Sequence, residues 1–155
     1  MKEEKKQKYH VLARGIILSE EREYILVAHC IGMDNTFLPG GHVEFGEGIR
    51  TTLSREIEEE LGLMSEIKEY IGVVEAEFVH EEIYHQEINH IFETEIEGLS
   101  HRRNPVSKES HLEFYWIHID EMEKHNLQPV PARKLIKDYI NEESGPYFTS
   151  TFGDN

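Results

Sequence analysis

The sequence predicts an α/β fold. Apolar residues alternate with period two on both sides of one helical stretch, which marks strands before and after it. The helical stretch, from about Ile49 to Leu61, repeats apolar residues every fourth position and is bounded by glycines. A second helical pattern follows Pro131 near the end of the chain. At 155 residues and 38% hydrophobic composition, the chain can build one sizeable core. No repeat, low-complexity stretch or linker divides it, so residues 1–155 are expected to form a single domain, with residues 1–8 as a flexible tail.

Tyr9 to Ser19 reads as the first strand, with Val11, Ala13, Gly15 and Ile17 on one face and Leu12, Arg14, Ile16 and Leu18 on the other. Arg14 is the odd member of an apolar face. It either makes a structural ion pair or reaches a phosphate, which a planar guanidinium suits. Ser19 to Glu23 reads as a turn and Tyr24 to His29 as a second strand, which together make a hairpin. Gly32 to Thr36 is a loop that leads to the short apolar piece Phe37-Leu38. Pro39 and Gly40-Gly41 then punctuate a strand end, and Gly46 and Gly48 keep the following loop tight.

In the helix, Ile49, Leu53, Ile57 and Leu61 form one stripe, and Gly62 supplies the stop. With Leu53 set to zero on a wheel of about 100° per residue, Glu56 falls near about −60°, Glu60 near about −20° and Glu59 near about −120°. Glu60 therefore sits inside the apolar arc and Glu56 borders it. An unpartnered carboxylate costs several kcal/mol to bury, and converging carboxylates resist ionising together. A hard cation such as Mg²⁺ or Mn²⁺ resolves both problems. The plainer reading, a solvated acidic face, fits the composition but not the wheel position of Glu60.

Beyond the helix, Ile67 to Val79 and Ile83 to Ile96 read as the two arms of a long hairpin. Gly98 to Ser110 is a long loop, and Leu112 to Ile117 is a strand around Trp116. Asp120 is expected to cap a short helix through Lys124, with Glu123 completing a capping box. A helix from Pro131 to about Glu142 carries Leu135, Ile136, Tyr139 and Ile140, and Gly145-Pro146 ends it. The aromatic tail Tyr147 to Phe152 has two places to dock, the body or a neighbouring subunit, so a homodimer is compatible with the sequence. His80, His85 and His90 lack a transition-metal spacing and read as surface or hairpin histidines.

A formal net charge of −15 argues against a general nucleic-acid or membrane-surface binder. It leaves room for a phosphate substrate delivered with a metal. Cys30 is the one cysteine, so no intramolecular disulfide forms, and it reads as a small buried apolar residue. The first residues are charged and lack an apolar h-region, and no apolar run reaches membrane-spanning length, so a soluble cytoplasmic protein is expected.

Gly41, Glu47, Arg55, Glu56, Glu59, Glu60 and Gly62 stand at the spacing of the Nudix box, which the stretch 41–63 resembles at every specified position. Seven fixed residues at fixed spacing match a random window roughly once in 10⁹. A looser resemblance covers most of the chain: a strand pair, the Leu-Pro-Gly-Gly approach, the box, a hairpin, the Trp-Ile-x-Ile-Asp-Glu-Met segment and a closing helix. The resemblance implies a MutT-like Nudix domain, an α/β/α sandwich with a mixed β-sheet. It implies hydrolysis of a nucleoside diphosphate linked to another moiety. The helix glutamates would hold one or more Mg²⁺ or Mn²⁺ ions.

Residue by residue, Glu56, Glu59 and Glu60 match the family's metal-binding glutamates, with the carbonyl of Gly40 or Gly41 as a further ligand. Glu56 or a later loop glutamate would serve as general base, with Glu109 the first candidate and Glu113 the second. Glu47 and Arg55 look like the structural pair that braces loop against helix. Candidate substrate contacts are Arg14, Phe37 and His29, the last standing where family members often have Arg. No proline lies between Gly62 and Asn104, Tyr70 and Tyr84 flank the place of a tyrosine marker, and no coenzyme A signature is apparent. These absences tilt the expected substrate toward a nucleoside triphosphate or related nucleotide. The alternatives are ADP-ribose or a nucleotide sugar, an RNA 5′ end, or a non-catalytic nucleotide-sensing domain. Extensive nucleic-acid contact and membrane partners are not expected.

Overall fold

The computed structural model describes residues 6–143 and 147–152. Among these described residues, seven strands and two α-helices follow one another as β1 (Gln7–Ile16), β2 (Tyr24–Cys30), β3 (Gly40–His42), α1 (Ile49–Leu61), β4 (Ser65–His80), β5 (Ile83–Ile96), β6 (Leu112–His118), α2 (Pro131–Ile140) and β7 (Tyr147–Ser150). A five-stranded mixed sheet runs in the order β3-β1-β5-β4-β7, and β2 pairs with β6 in a separate two-stranded sheet. The β1–β5 and β4–β7 pairs are parallel; β1–β3 and β4–β5 are antiparallel.

Alternation along the strands sorts the core into two layers. Ala13, Phe92 and Phe114 meet Leu53, Ile57 and Leu61 of α1 in one. Ile16, Val74 and Ile91 meet Leu135 and Ile136 of α2 in the other. The sandwich of helix, sheet and helix expected from the sequence is therefore present, with α1 and α2 on opposite sides.

Three readings of the sequence change. The first strand begins at Gln7 rather than Tyr9 and ends at Ile16. It does not form a hairpin with β2. One edge of β1 is taken over its whole length by β5, and the other is taken at Leu12–Arg14 by β3. Only the turn end stays in touch with β2, through the Leu18–Ile25 bridge and a bond from Leu26 N to Ile17 O of 2.9 Å. Second, Gly40-Gly41 does not end a strand but forms β3 itself. Third, Asp120 caps no helix. The backbone makes one 3₁₀ turn at Ile119–Glu121, and Nδ1 of His118 accepts from Asp120 N at 3.1 Å.

The β4–β5 hairpin turns where expected, on Glu81 and Glu82 at φ 51° and 66°. Two positive φ values are what a tight two-residue hairpin turn needs, normally met by Asn-Gly. The helix from Pro131 stops at Ile140, short of Glu142, and Gly145-Pro146 lies outside the described residues. The aromatic tail docks on the body, as β7 beside β4. Among the described residues, no helix is long and apolar enough to cross a membrane.

Candidate active site

Glycines bring the carboxylate helix and the sheet into contact. Gly62 closes α1 in the left-handed conformation at φ 68°, its N–H donating to Glu58 O. Gly40 takes φ 142°, and a Cβ there would lie 1.9 Å from Ala13 O. Gly41 lies against the helix instead: a Cβ on it would meet Cδ of Glu56 at 2.4 Å. The bare glycine backbone thus leaves the space in which the Glu56 carboxylate sits.

Arg55 ties this corner together. Its Nε donates to Glu47 Oε2 at 2.6 Å and its Nη2 to Glu47 Oε1 at 2.9 Å, a two-pronged bond. Nη1 reaches Glu56 at 3.0 Å and Glu59 at 3.2 Å, and Nη2 reaches the His42 carbonyl at 3.3 Å. Thr52 Oγ1 adds a 2.6 Å bond to Glu47. The bonds from Arg55, then Thr52, hold the Glu47 carboxyl down at about 2. The glycine loop is therefore strapped to the helix by an ionised Glu47.

Glu60 behaves differently. It is 8% exposed and has no cation within ion-pair distance among the described residues. Burial pushes its carboxyl up to about 8; Arg14 pulls it down, while Glu56 and Glu109 push it further up. Glu56 also lies above the usual range, through burial first. The two acids lie close enough to resist ionising together.

The donors present are hard carboxylate and carbonyl oxygens, which suit a divalent cation of the Mg²⁺ type. Two neighbouring acids, one buried and one half-buried, mark a place where a cation relieves like-charge repulsion. Among the described residues, no three His, Cys, Asp or Glu side chains stand together as a ligand group in this arrangement. Two of the three helix acids, Glu56 and Glu59, are bonded to Nη1 of Arg55 instead. Glu60 fits the group as it stands, and Glu56 and Glu59 fit it by loosening their hold on Arg55 Nη1. Gly40 lies opposite Arg14 in the β1–β3 register, one residue from the glycine that abuts Glu56.

Glu109 is half-buried in the long loop, near enough to raise the Glu60 carboxyl. Its neighbour Lys108 donates its N–H to Glu60 O at 2.7 Å, which fixes the loop on the end of α1. Glu113 lies elsewhere. It sits on β6 and contacts Nδ1 of His29 at 2.7 Å. The other nitrogen of His29 contacts the Met33 carbonyl at 2.7 Å. That carbonyl first, then Glu113, raises the His29 pKa. Both ring nitrogens of His29 are therefore occupied within the protein.

Arg14 stands between the carboxylates and a cavity of about 560 Å³. Its Nη1 donates to Leu38 O at 3.2 Å, and its guanidinium lies 5.2 Å from the centre of the Phe37 ring. Arg14 and Phe37 both line this cavity, together with Asn35, Phe78, Glu87 and Asn89. The size suits a nucleotide-sized ligand. A larger depression of about 910 Å³ lies by Leu99 and Trp116; box residues line neither cavity, and the smaller one adjoins them through Arg14, whose charge acts on Glu60 and Glu56.

Sequence reasoning missed two features here. Asn89 is a buried polar residue on the cavity wall, hidden in an alternating strand. His85 lies on the hairpin, as read, but belongs to a row of ring contacts. Nε2 of His42 lies 2.8 Å from Nδ1 of His10, and Nε2 of His10 lies 2.8 Å from Nδ1 of His85. This row crosses β3, β1 and β5, and strand pairing between residues 77 positions apart leaves no local signal for it.

Fold and site together define an α/β protein in which Arg14 links a carboxylate-bearing helix to a nucleotide-sized cavity. The NUDIX domain signature matches residues 8–139. The chain belongs to the Nudix family, which generally uses divalent metal ions and acts on nucleotide substrates. Over 52 residues it is 36% identical to an RNA pyrophosphohydrolase of Ruthia magnifica subsp. Calyptogena magnifica. That stretch covers 34% of this chain but only 29% of the relative. A crystal structure of UDP-X diphosphatase overlays with a TM-score of 0.67 at 20% identity, over 91% of this chain and 67% of that one. A NUDIX hydrolase from Nitrosomonas europaea gives 0.66 at 19% identity, over 90% and 93%. The MutT protein from Methanosarcina mazei Go1 gives 0.60 at 20% identity, over 90% and 98%. At these identities the overlays speak to the fold.

Proposed function

We propose that this chain, acting as a single Nudix domain, hydrolyses the pyrophosphate bond of a nucleoside triphosphate or related nucleotide. The observation that carries the reading is Glu60: a buried carboxyl next to the Glu56 carboxyl, beside an arginine that opens onto a nucleotide-sized cavity. Mg²⁺ or Mn²⁺ would be held by Glu56, Glu59, Glu60 and the Gly40 carbonyl. When bound, such an ion neutralises phosphate charge and lowers the pKa of a coordinated water.

The chain's own residues do the rest. Arg14 offers guanidinium N–H groups to phosphate oxygens, and Phe37 keeps that guanidinium in place by lying against it. His29 is a lesser phosphate contact, since it must first leave Glu113 and Met33. Glu109 accepts a proton from the attacking water at its carboxylate, as the new P–O bond forms and the anhydride P–O bond breaks. Glu56 is the alternative base. Glu47 and Arg55 hold the loop that carries Gly41 and so keep Glu56 positioned.

The test is a panel of nucleoside triphosphates, dinucleotides and nucleotide sugars with Mg²⁺ or Mn²⁺. Hydrolysis by the wild type, reduced about a hundredfold or more in Glu60→Gln, is expected. No hydrolysis of any member, with wild type and Glu60→Gln alike, overturns the reading and favours a nucleotide-sensing domain. A second reading, removal of pyrophosphate from an RNA 5′ end, draws on the 52-residue likeness to an RNA pyrophosphohydrolase. Faster release from triphosphorylated RNA than from free NTP would favour it. ADP-ribose and nucleotide sugars, the latter in keeping with the UDP-X diphosphatase overlay, are covered by the same panel. A cytoplasmic location accords with a free cysteine. The exposed Phe148 on β7 supports a homodimer, which light scattering would test.

A further inference from the structure

Asn89 is 2% exposed, in the middle of β5, opposite Leu12 on β1 and Val74 on β4. Its Nδ2 donates to Val74 O at 3.3 Å and to Glu87 Oε1 at 3.0 Å. Both partners can only accept, so the chemistry fixes which end of the amide carries nitrogen. Oδ1 must then point the other way. Among the described residues it accepts no hydrogen bond, and it is not among the sealed, unpaired polar atoms, where Ser65 Oγ stands alone. Asn89 lines the cavity that begins at Arg14, so Oδ1 opens into it.

The wall around that oxygen is specific in what it lacks. Both amide hydrogens of Asn89 are used inside the protein. Glu87, which also lines the cavity two residues along the strand, adds a carboxylate. Val74, Ala76 and Ile91 supply the apolar surface beside them. The wall thus offers two acceptors, and no donor from Asn89, against an apolar floor. A base that turns an amino group toward it satisfies Oδ1. A base with a carbonyl at the same position sets oxygen against oxygen and leaves both unpaired, which is costly where water is excluded.

We propose that Asn89 reads an exocyclic amino group of the substrate base, so that the enzyme prefers an amino-bearing nucleotide to its deaminated counterpart. Glu87 is a positioning residue, holding the amide with its oxygen outward. The inference rests on reading this cavity as the nucleoside chamber of the proposed reaction.

Three matched pairs test it: CTP against UTP, ATP against ITP and GTP against XTP. For each, kcat/KM is measured on the triphosphate and Kd by calorimetry on the corresponding monophosphate. The expected result is a preference of about tenfold or more for the amino member in at least one pair, in both measurements. Asn89→Leu, close in size and without the acceptor, should bring that ratio to about one. All three wild-type ratios within about twofold would overturn the inference, as would an Asn89→Leu ratio unchanged from wild type. Should the variant not fold, the wild-type pairs decide alone. Selective binding without hydrolysis of any triphosphate would overturn the proposed reaction and leave Asn89 its role. Hydrolysis without selectivity would do the reverse.

Discussion

Glu60 holds its proton at neutral pH when no cation is bound, because burial raises its carboxyl to about 8. The folded value lies above the ordinary glutamate value of 4.5, so the folded chain binds this proton more tightly than the unfolded chain does. The resulting stability is fully present below about pH 4.5 and is lost as pH rises through about 8. Glu47 does not disturb that window, since its carboxyl is held down at about 2 and acts in acid. The metal-free protein is therefore expected to lose melting temperature between about pH 5 and pH 8, more steeply than Glu60→Gln, measured by thermal denaturation across buffers. Mg²⁺ or Mn²⁺ should flatten the wild-type slope and leave the variant's slope nearly unchanged. Equal slopes for wild type and variant without metal would refute the assignment. Glu60 was legible in the sequence because helical periodicity is local: three positions either side suffice to place it in the apolar arc. Asn89 was not, because a strand shows only which face a side chain is on, not whether that face ends in core or cavity.

At the scale of elements, the loop from β3 to α1 acts as a fitted seat for Glu56. Gly41 contributes by having no side chain, and Arg55 contributes by holding Glu47. Gly41→Ala is expected to leave the helical circular dichroism intact yet lower activity about a hundredfold, since the new methyl displaces Glu56 by an ångström or so. Activity near wild type in a folded Gly41→Ala protein would show that Glu56 does not need this seat. The helix, its glycine stop and its apolar stripe were all legible, as was the site of the β4–β5 turn. The β1–β2 hairpin was misread because short connections usually join paired strands. Here β3 and β5 compete for both edges of β1 and win. The cap at Asp120 was misread because the His118 ring accepts the bond that a capping carboxylate would have taken.

For the whole molecule, the outer edge of the five-stranded sheet is closed by the chain's own tail. The contact is narrow at Gly72, where a Cβ would lie 2.4 Å from Tyr147 O. Gly72→Ala should push β7 off β4, read as faster hydrogen exchange at residues 147–150 and a gain in self-association as the β4 edge opens. Unchanged exchange would mean that β7 tolerates the added methyl by sliding. The sandwich architecture was legible from the order of patterns along the chain. The pairing of its central strands was not, since no local signal links residues so far apart.

The central parallel pair has a temporal consequence. From Gln7–Tyr84 to Ile16–Glu93, each contact closes a loop of 77 residues, whereas β4 and β5 meet across a two-residue turn. Closing long loops is entropically expensive, so such pairings form late and slow the search. Arg14 and the stretch of β1 that Gly40 leans on belong to that late pair. A growing chain therefore completes its carboxylate helix well before it can assemble the arginine beside it. Catalytic competence should be among the last properties to arrive as the protein is made.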